Sequence, residues 1–200
     1  MSNKNSITLF TLLFLILSGY HSFAQNTDWI NAYDTTIGKV DVTSNGGVIV
    51  TGTFKNSIQI GTTTLTAQDN KVTESHISKI DSNGNYVWVK HITMDTNGSN
   101  MNHLNLFVNI TNVKCASNGD FYVTGVFNHT AVFDSATVLT RTPGYTTVMD
   151  GFLAKYDENG DVIWVKKIYG NYMAVDQFVL DNLSNLVLAI QGSSNRILKI

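Results

Sequence analysis

The chain has 200 residues, of which 43% are apolar and 14% charged, with a formal net charge of −2. This balance excludes a nucleic-acid-binding protein that relies on a broad basic face and an acidic disordered tail. The single cysteine excludes a disulfide framework and a cysteine-rich zinc site within this chain. The 22 Asn, 23 Thr and 15 Gly residues are typical of short strands joined by tight turns.

The first 24 residues have the three parts of a secretory signal peptide. Lys4 lies in a short polar start, residues 7–17 form an apolar run, and Ser22-Phe23-Ala24 places small residues at the −3 and −1 positions of a cleavage site. A membrane anchor is the weaker alternative, because so short a run, at about 1.5 Å per residue, cannot cross a hydrocarbon core of about 30 Å. We predict that residues 1–24 are cleaved and that residues 25–200, without a membrane span, are secreted or held on the outer cell surface.

The rest of the chain contains two segments that recur in the same order. Residues 44–54 recur as 117–127, and residues 81–92 recur as 157–168. Trp29 begins a shorter segment that resembles the one around Trp88. Ordered self-similarity is the signature of a repeat architecture, and we predict units of about 40–92, 110–168 and 178–200.

Asn-Gly pairs at 45–46, 83–84, 118–119 and 159–160 predict the turns between strands, because glycine accepts a positive φ without strain. Residues 48–54 and 121–127 are apolar or β-branched on both faces, so these strands must be covered on both faces. No segment after Ala24 has an apolar stripe of helical period. We therefore predict an all-β chain of antiparallel blades stacked against one another.

The intervals between the tryptophans are unequal, and the difference predicts an insertion. Residues 93–108, which are rich in Asn, Ser and Gly, account for most of it. We predict a surface loop between blades over these residues, and such insertions often lie on the binding face of repeat proteins.

The motifs resemble the SBBP (seven-bladed β-propeller) repeat of bacterial proteins. Residues 150–157, followed by Gly160 and Trp164, match its Asp-x-Phe-hydrophobic-Ala-Lys-Tyr-Asp-x-x-Gly-x-x-x-Trp pattern closely. The earlier unit is looser, since Glu74 and His76 replace the first Asp and the Phe. The resemblance covers roughly residues 28–200. A quinoprotein-type propeller is the weaker alternative, because its turn has one residue more before the glycine.

The resemblance implies a β-propeller in an exported protein of a kind that often carries a C-terminal sorting domain, and none is visible in this sequence. Propellers close with about four to eight blades. The units found here correspond to about 2.5–3 blades, fewer than that range. We therefore expect an incomplete propeller that another chain, or further blades downstream, would complete.

Two turns resemble the first half of a calcium-binding loop. Their oxygen-bearing side chains are Asp81, Asn83 and Asn85 in one turn, and Asp157, Asn159 and Asp161 in the other. The position of the bidentate glutamate is taken by Ile92 and Ile168, which cannot ligate a metal. We therefore predict that these side chains cap turns, and that the chain holds no metal.

The remaining candidate residues have structural interpretations. Trp88 and Trp164 could stack on a glycan, but their shared repeat position favours packing between blades. The histidines lack the spacing of a zinc site; they are His76, His91, His103 and His129. Cys115 is predicted to be a small buried apolar residue. The lysines at one repeat position, Lys79, Lys155 and Lys199, are expected to lay their stems along a blade edge.

No nucleophile elbow, phosphate loop or dinucleotide fingerprint occurs in the sequence. We therefore predict a non-enzymatic binding or display scaffold without a cofactor, whose partner is an unidentified protein or glycan and not a nucleic acid. The alternative is the N-terminal part of a larger exported enzyme or adhesin whose functional part lies beyond residue 200.

Overall fold

The structure, a computed structural model, describes residues 36–96, 105–142, 149–168, 174–181, 185–191 and 195–200. All of these residues belong to one compact unit within residues 31–200. The signal-peptide prediction for residues 1–24 and the segment that begins at Trp29 lie outside the described residues.

The described residues form strands and turns, so the all-β prediction is confirmed. They include no helix, and therefore none with the length and apolarity to span a membrane. The strands are β1 (Thr36–Val42), β2 (Val48–Phe54), β3 (Ser57–Ile60), β4 (Thr63–Thr66), β5 (Glu74–Ile80), β6 (Tyr86–Asp95), β7 (Val108–Cys115), β8 (Phe121–Phe127), β9 (Thr130–Val132), β10 (Val138–Thr140), β11 (Asp150–Tyr156), β12 (Val162–Ile168), β13 (Ala174–Leu180), β14 (Leu186–Gln191) and β15 (Arg196–Lys199).

Three antiparallel sheets and a separate β3–β4 hairpin contain these strands. The six-stranded sheet has the order β1-β2-β5-β6-β9-β10, the four-stranded sheet β7-β8-β11-β12, and the three-stranded sheet β13-β14-β15. Within the described ranges, none of the sheets closes on itself.

Strands β7, β8, β11 and β12 follow the same path as β1, β2, β5 and β6, with a hairpin between the second and third strand of each set. The registers also correspond. Lys79 pairs with Trp88, and Lys155 pairs with Trp164, and in both sheets the register shifts directly after the lysine. Residues that occupy the same register position in the two sheets, such as these two lysines, are called equivalent below.

The four Asn-Gly pairs lie in turns, as predicted. Their glycines have φ values of 83° at Gly46, 86° at Gly84, 92° at Gly119 and 77° at Gly160. Glycine is favoured at these positions because an L side chain is strained in this region.

The apolar cores lie between the sheets. One cluster joins Ile77 and Ile92 of the six-stranded sheet to Phe121 and Phe152 of the four-stranded sheet, and a second joins the four-stranded sheet to the three-stranded sheet. Strand β8 is buried over its whole length. The predicted coverage of such strands on both faces is therefore observed.

The prediction of a surface loop over residues 93–108 is wrong at both of its ends. Thr93–Asp95 continue strand β6 and pair with β9, and Met94 is fully buried. Leu106 and Val108 are also buried in the core between the sheets. The polar composition of the segment gives no sign of these contacts, because Thr93–Asp95 pair with a strand about 40 residues further along the chain and Leu106 and Val108 bond to Thr73.

Candidate functional site

The β11–β12 turn of the four-stranded sheet docks on the six-stranded sheet. Trp88 Nε1 and Lys79 Nζ both donate to the backbone oxygen of Glu158, at 3.2 and 3.0 Å. Lys90 Nζ lies 2.8 Å from Asp161 Oδ1. The Trp88 ring also stacks on Phe121 across the sheets, with 5.8 Å between ring centroids. The predicted packing role of Trp88 is therefore confirmed, here between sheets.

Beside this docked turn, an open cleft of about 320 Å³ lies between the six-stranded and four-stranded sheets. We call it the inter-sheet cleft. Strand β6, the β9–β10 turn, the end of β11 and the β11–β12 turn form its walls. The residues that matter for its chemistry are His91, Phe133, Asp134, Ser135, Tyr156 and Asp161.

Two carboxylates on opposite turns face the inter-sheet cleft. Asp134 Oδ1 accepts the backbone N–H groups of Ala136 and Thr137, at 2.8 and 2.6 Å, which fixes the β9–β10 turn. Asp161 Oδ1 is held by Lys90. The side chain of Thr137 also bonds to the Asp134 carboxylate. Both carboxylates are therefore held in position at the border of the cleft.

Tyr156 also borders the inter-sheet cleft and is only 1% exposed. Its ring stacks on Phe121 at 5.0 Å, while its hydroxyl has no hydrogen-bond partner among the described residues. Burial, and secondarily the charge of Asp134, raises the pKa of this phenol. The hydroxyl is thus neutral and lies close enough to Asp134 to respond to its charge.

Glu74 and His91 form a pair beside the same cleft. Glu74 is fully buried, and its Oε1 accepts the backbone N–H of Met94 at 2.9 Å. His91 Nε2 lies 2.6 Å from Glu74 Oε2, although the two atoms are not aligned for a hydrogen bond. His91 and Ser135 therefore border one cleft, with the buried Glu74 carboxylate beside His91, which raises the question of a hydrolytic triad.

The four-stranded sheet contains an equivalent pair. Asp150 and Lys167 occupy the positions of Glu74 and His91, with Lys167 Nζ 3.6 Å from Asp150 Oδ2. Asp150 also accepts the backbone N–H of Thr142 at 2.7 Å. Both sheets therefore place a basic side chain beside a buried carboxylate of the neighbouring strand at this register position. No hydrogen bond joins Ser135 to His91 in the described residues.

His76 is fully buried on the strand that carries Glu74. It pairs with Gly52 and with His91 across the neighbouring strands. Burial, together with the charge of His91, lowers the pKa of His76 to about 4. Its equivalent is Phe152, which lies over Gly125 in the same way. His76 therefore acts as a neutral aromatic core residue at physiological pH.

The aspartates predicted to cap turns do so. Asp81 Oδ1 accepts the backbone N–H groups of Asn83 and Asn85, both at 2.9 Å, and these bonds, that from Asn85 first, hold the pKa of Asp81 below its usual value. Asp157 Oδ1 accepts those of Asn159 and Asp161, also at 2.9 Å. Among the residues with described positions, no three His, Cys, Asp or Glu side chains come together as a metal-ion group.

The other predicted residues lie apart from the inter-sheet cleft. Cys115 is half-buried, and burial, followed by the charge of Asp41, raises the pKa of its thiol to about 12. Trp164 packs near Tyr122, with 6.1 Å between ring centroids. The two lysines have carboxylate partners: Lys155 Nζ lies 2.6 Å from Asp120 Oδ2, and Lys199 Nζ lies 2.7 Å from Asp181 Oδ2. His129 Nδ1 lies 2.9 Å from the backbone oxygen of Asp95. His103 lies outside the described residues.

Four residues of the inter-sheet cleft were not singled out from the sequence: Phe133, Asp134, Ser135 and Tyr156. In the sequence, Asp134-Ser135 is typical of an ordinary turn, and Tyr156 occupies one position of a strand motif. Only the pairing of β9 with β6 brings the turn to His91, and no sequence periodicity predicts that pairing.

No known protein family model matches the chain, and no curated protein is significantly similar to it. The basis for assigning a function is therefore the inter-sheet cleft and the sheets around it.

Proposed function

We propose that the chain is an exported, non-enzymatic β-propeller module that serves as a binding or display scaffold. The observation that carries the proposal is the inter-sheet cleft, which combines an open cavity of about 320 Å³ with positioned carboxylates and a buried, unpartnered hydroxyl. Concave sites with a few oriented polar groups are the usual form of small-ligand sites in proteins.

The stacking of the sheets supports the propeller architecture. The six-stranded and four-stranded sheets each contain a four-stranded antiparallel meander with equivalent registers. Each meander packs a face on the next sheet through a shared apolar cluster. Face-to-face packing of four-stranded antiparallel sheets is how propeller blades are arranged, and the SBBP-like motifs agree with it.

The exposed edges support an incomplete ring. Val40 and Val42 of β1 are 59% and 63% exposed, and Ile197 of β15 is 81% exposed. An apolar edge strand invites pairing with another strand. The proposed module is therefore an arc of blades that a further chain segment or a second chain completes.

The non-enzymatic assignment is supported by the role of the Glu74–His91 pair. Its equivalent, Asp150–Lys167, lies at the same register position, and Asp150 also accepts the backbone N–H of Thr142, which is a structural role. The polar residues of the inter-sheet cleft are positioned to bind and orient a ligand, whereas an acyl-transfer site needs a nucleophile within hydrogen-bond reach of its base.

Two measurements test this function. The full chain, produced in a Gram-negative host, should be recovered from the periplasm with Gln25 at its N-terminus, as determined by mass spectrometry. The purified chain should bind members of a glycan and peptide array without turnover of esterase, peptidase or glycosidase substrates. Turnover that is lost in Ser135→Ala would contradict the non-enzymatic assignment, and an array without any ligand would contradict the binding role.

A further inference from the structure

The volume of the inter-sheet cleft suits a ligand with one small ring. Ligand pockets in proteins run from about 300 to 1,000 Å³, and this cleft, at about 320 Å³, lies at the lower limit. A single pyranose-sized group fits such a space, whereas an extended chain would have to leave it through the open side.

The charges around the cleft disfavour an anionic ligand. Asp134 and Asp161 both face it, and its lysine, Lys90, is already paired with Asp161. The histidine of the cleft, His91, lies beside Glu74. Among the described residues that line the cleft, both basic side chains therefore already have an acidic neighbour, and a phosphate or carboxylate would meet the charge of Asp134. A neutral ligand avoids this repulsion.

The hydrogen-bonding groups match a ligand that carries several hydroxyls. The carboxylates of Asp134 and Asp161 are acceptors, and the buried Tyr156 hydroxyl can donate or accept. An unsatisfied buried hydroxyl costs about 1–3 kcal/mol, so a ligand hydroxyl that bonds to Tyr156 would recover part of this cost. These groups come from three different elements and converge on one cavity.

Apolar surface accompanies the polar groups. Phe133, Ile92 and Val162 line the same cleft, and they can cover the C–H face of a sugar ring while its hydroxyls reach the carboxylates. We propose that the inter-sheet cleft binds one neutral hexose ring, held by Asp134, Asp161 and Tyr156. This inference rests on the proposed binding function and assigns it a site and a ligand class.

The test uses the full chain and neutral methyl hexopyranosides, with glucuronate and ethanolamine as charged comparison ligands. Affinities are measured by calorimetry or by ligand-observed NMR. We expect the neutral hexosides to bind and glucuronate to bind at least tenfold more weakly, because its carboxylate meets Asp134 and Asp161.

Two variants locate the site. Tyr156→Phe removes only the hydroxyl and should weaken hexoside binding about three- to tenfold, the loss of one hydrogen bond. Asp134→Asn keeps a side-chain oxygen that can accept the Ala136 and Thr137 N–H groups but removes the charge. It should weaken hexoside binding at least as much as Tyr156→Phe does. Tyr122→Phe is the matched control, because Tyr122 lies away from the cleft, and its affinity should stay within twofold of the unchanged chain. Thermal unfolding of each variant confirms that it folds.

The outcomes separate this inference from the proposed function. Loss of hexoside affinity in both cleft variants supports the inference. If the chain binds an array ligand and neither variant changes that binding, the ligand binds outside the inter-sheet cleft. This result overturns the inference and leaves the proposed binding function intact. Preference for ethanolamine over the hexosides, lost in the same variants, overturns the assignment of a neutral sugar. Absence of any array ligand removes the binding function and this inference together.

Discussion

His91 Nε2 lies 2.6 Å from Glu74 Oε2 on the neighbouring strand, and the equivalent positions of the four-stranded sheet hold Lys167 and Asp150 at 3.6 Å. In both sheets the carboxylate is buried and also accepts a backbone N–H group. A buried acceptor with a basic partner on the next strand therefore fixes the start of β5 and of β11.

Removal of the Glu74 carboxylate should destabilise the fold. Glu74→Ala leaves the buried Met94 N–H without its acceptor and His91 without its partner, so we expect a loss of about 3 kcal/mol in the free energy of unfolding. Urea unfolding followed by tryptophan fluorescence measures this loss. Glu158→Ala is the control, because Glu158 acts through its backbone oxygen, and it should change stability by less than about 0.5 kcal/mol.

The buried His76 predicts acid sensitivity. The unfolded chain takes up a proton at this residue near pH 6.5, whereas the folded chain does so only near pH 4. The contribution of neutral His76 to the free energy of unfolding is therefore fully present above pH 6.5. It decreases by up to about 3 kcal/mol as the pH falls toward 4.

His76→Phe should remove most of that pH dependence, because Phe152 shows that a phenyl ring fits the equivalent position over a glycine. Urea unfolding at pH 4.5 and 7 provides the comparison. An unchanged difference between the two pH values in the variant would assign the acid sensitivity to other groups.

Gly160 should tolerate a side chain less well than Gly46. Both have a positive φ, but a Cβ at position 160 would lie 2.8 Å from Lys90 Cε and 3.1 Å from Trp88, whereas one at position 46 would meet nothing closer than 3.6 Å. Gly46→Ala should cost about 1 kcal/mol from backbone strain alone, and Gly160→Ala about 2–3 kcal/mol. Equal losses would show that the docked turn can shift away from Trp88.

Cys115 should react slowly with thiol reagents. Burial raises the pKa of its thiol to about 12, and the thiolate is the reactive form. We expect its alkylation by iodoacetamide at pH 8 to be at least a hundredfold slower than that of glutathione. A rate similar to that of glutathione in the folded chain would contradict the buried environment.

The exposed edge of β15 should promote association. Ile197→Lys places a charge on the most exposed apolar side chain of this edge, and edge charges oppose strand pairing. Size-exclusion chromatography with light scattering should show less concentration-dependent association in this variant than in the unchanged chain. Val87→Lys replaces an exposed apolar side chain of β6 and serves as the control. An equal effect of both substitutions would show that the association is not specific to the β15 edge.

The sequence alone determined the strand class, the positions of the tight turns and the burial of β2 and β8, because strand alternation and Asn-Gly turns are local properties of the chain. It also predicted that Asp81 and Asp157 cap turns, since an aspartate bonds to backbone groups only a few residues away. Only the tertiary structure decided that β9 pairs with β6, that Met94 and Leu106 are buried, and that Asp134 and Tyr156 border the same cleft as His91. These contacts join segments about 40–65 residues apart, and the packing of whole sheets decides them. No local pattern in the sequence encodes which part of a sheet a distant hairpin will contact.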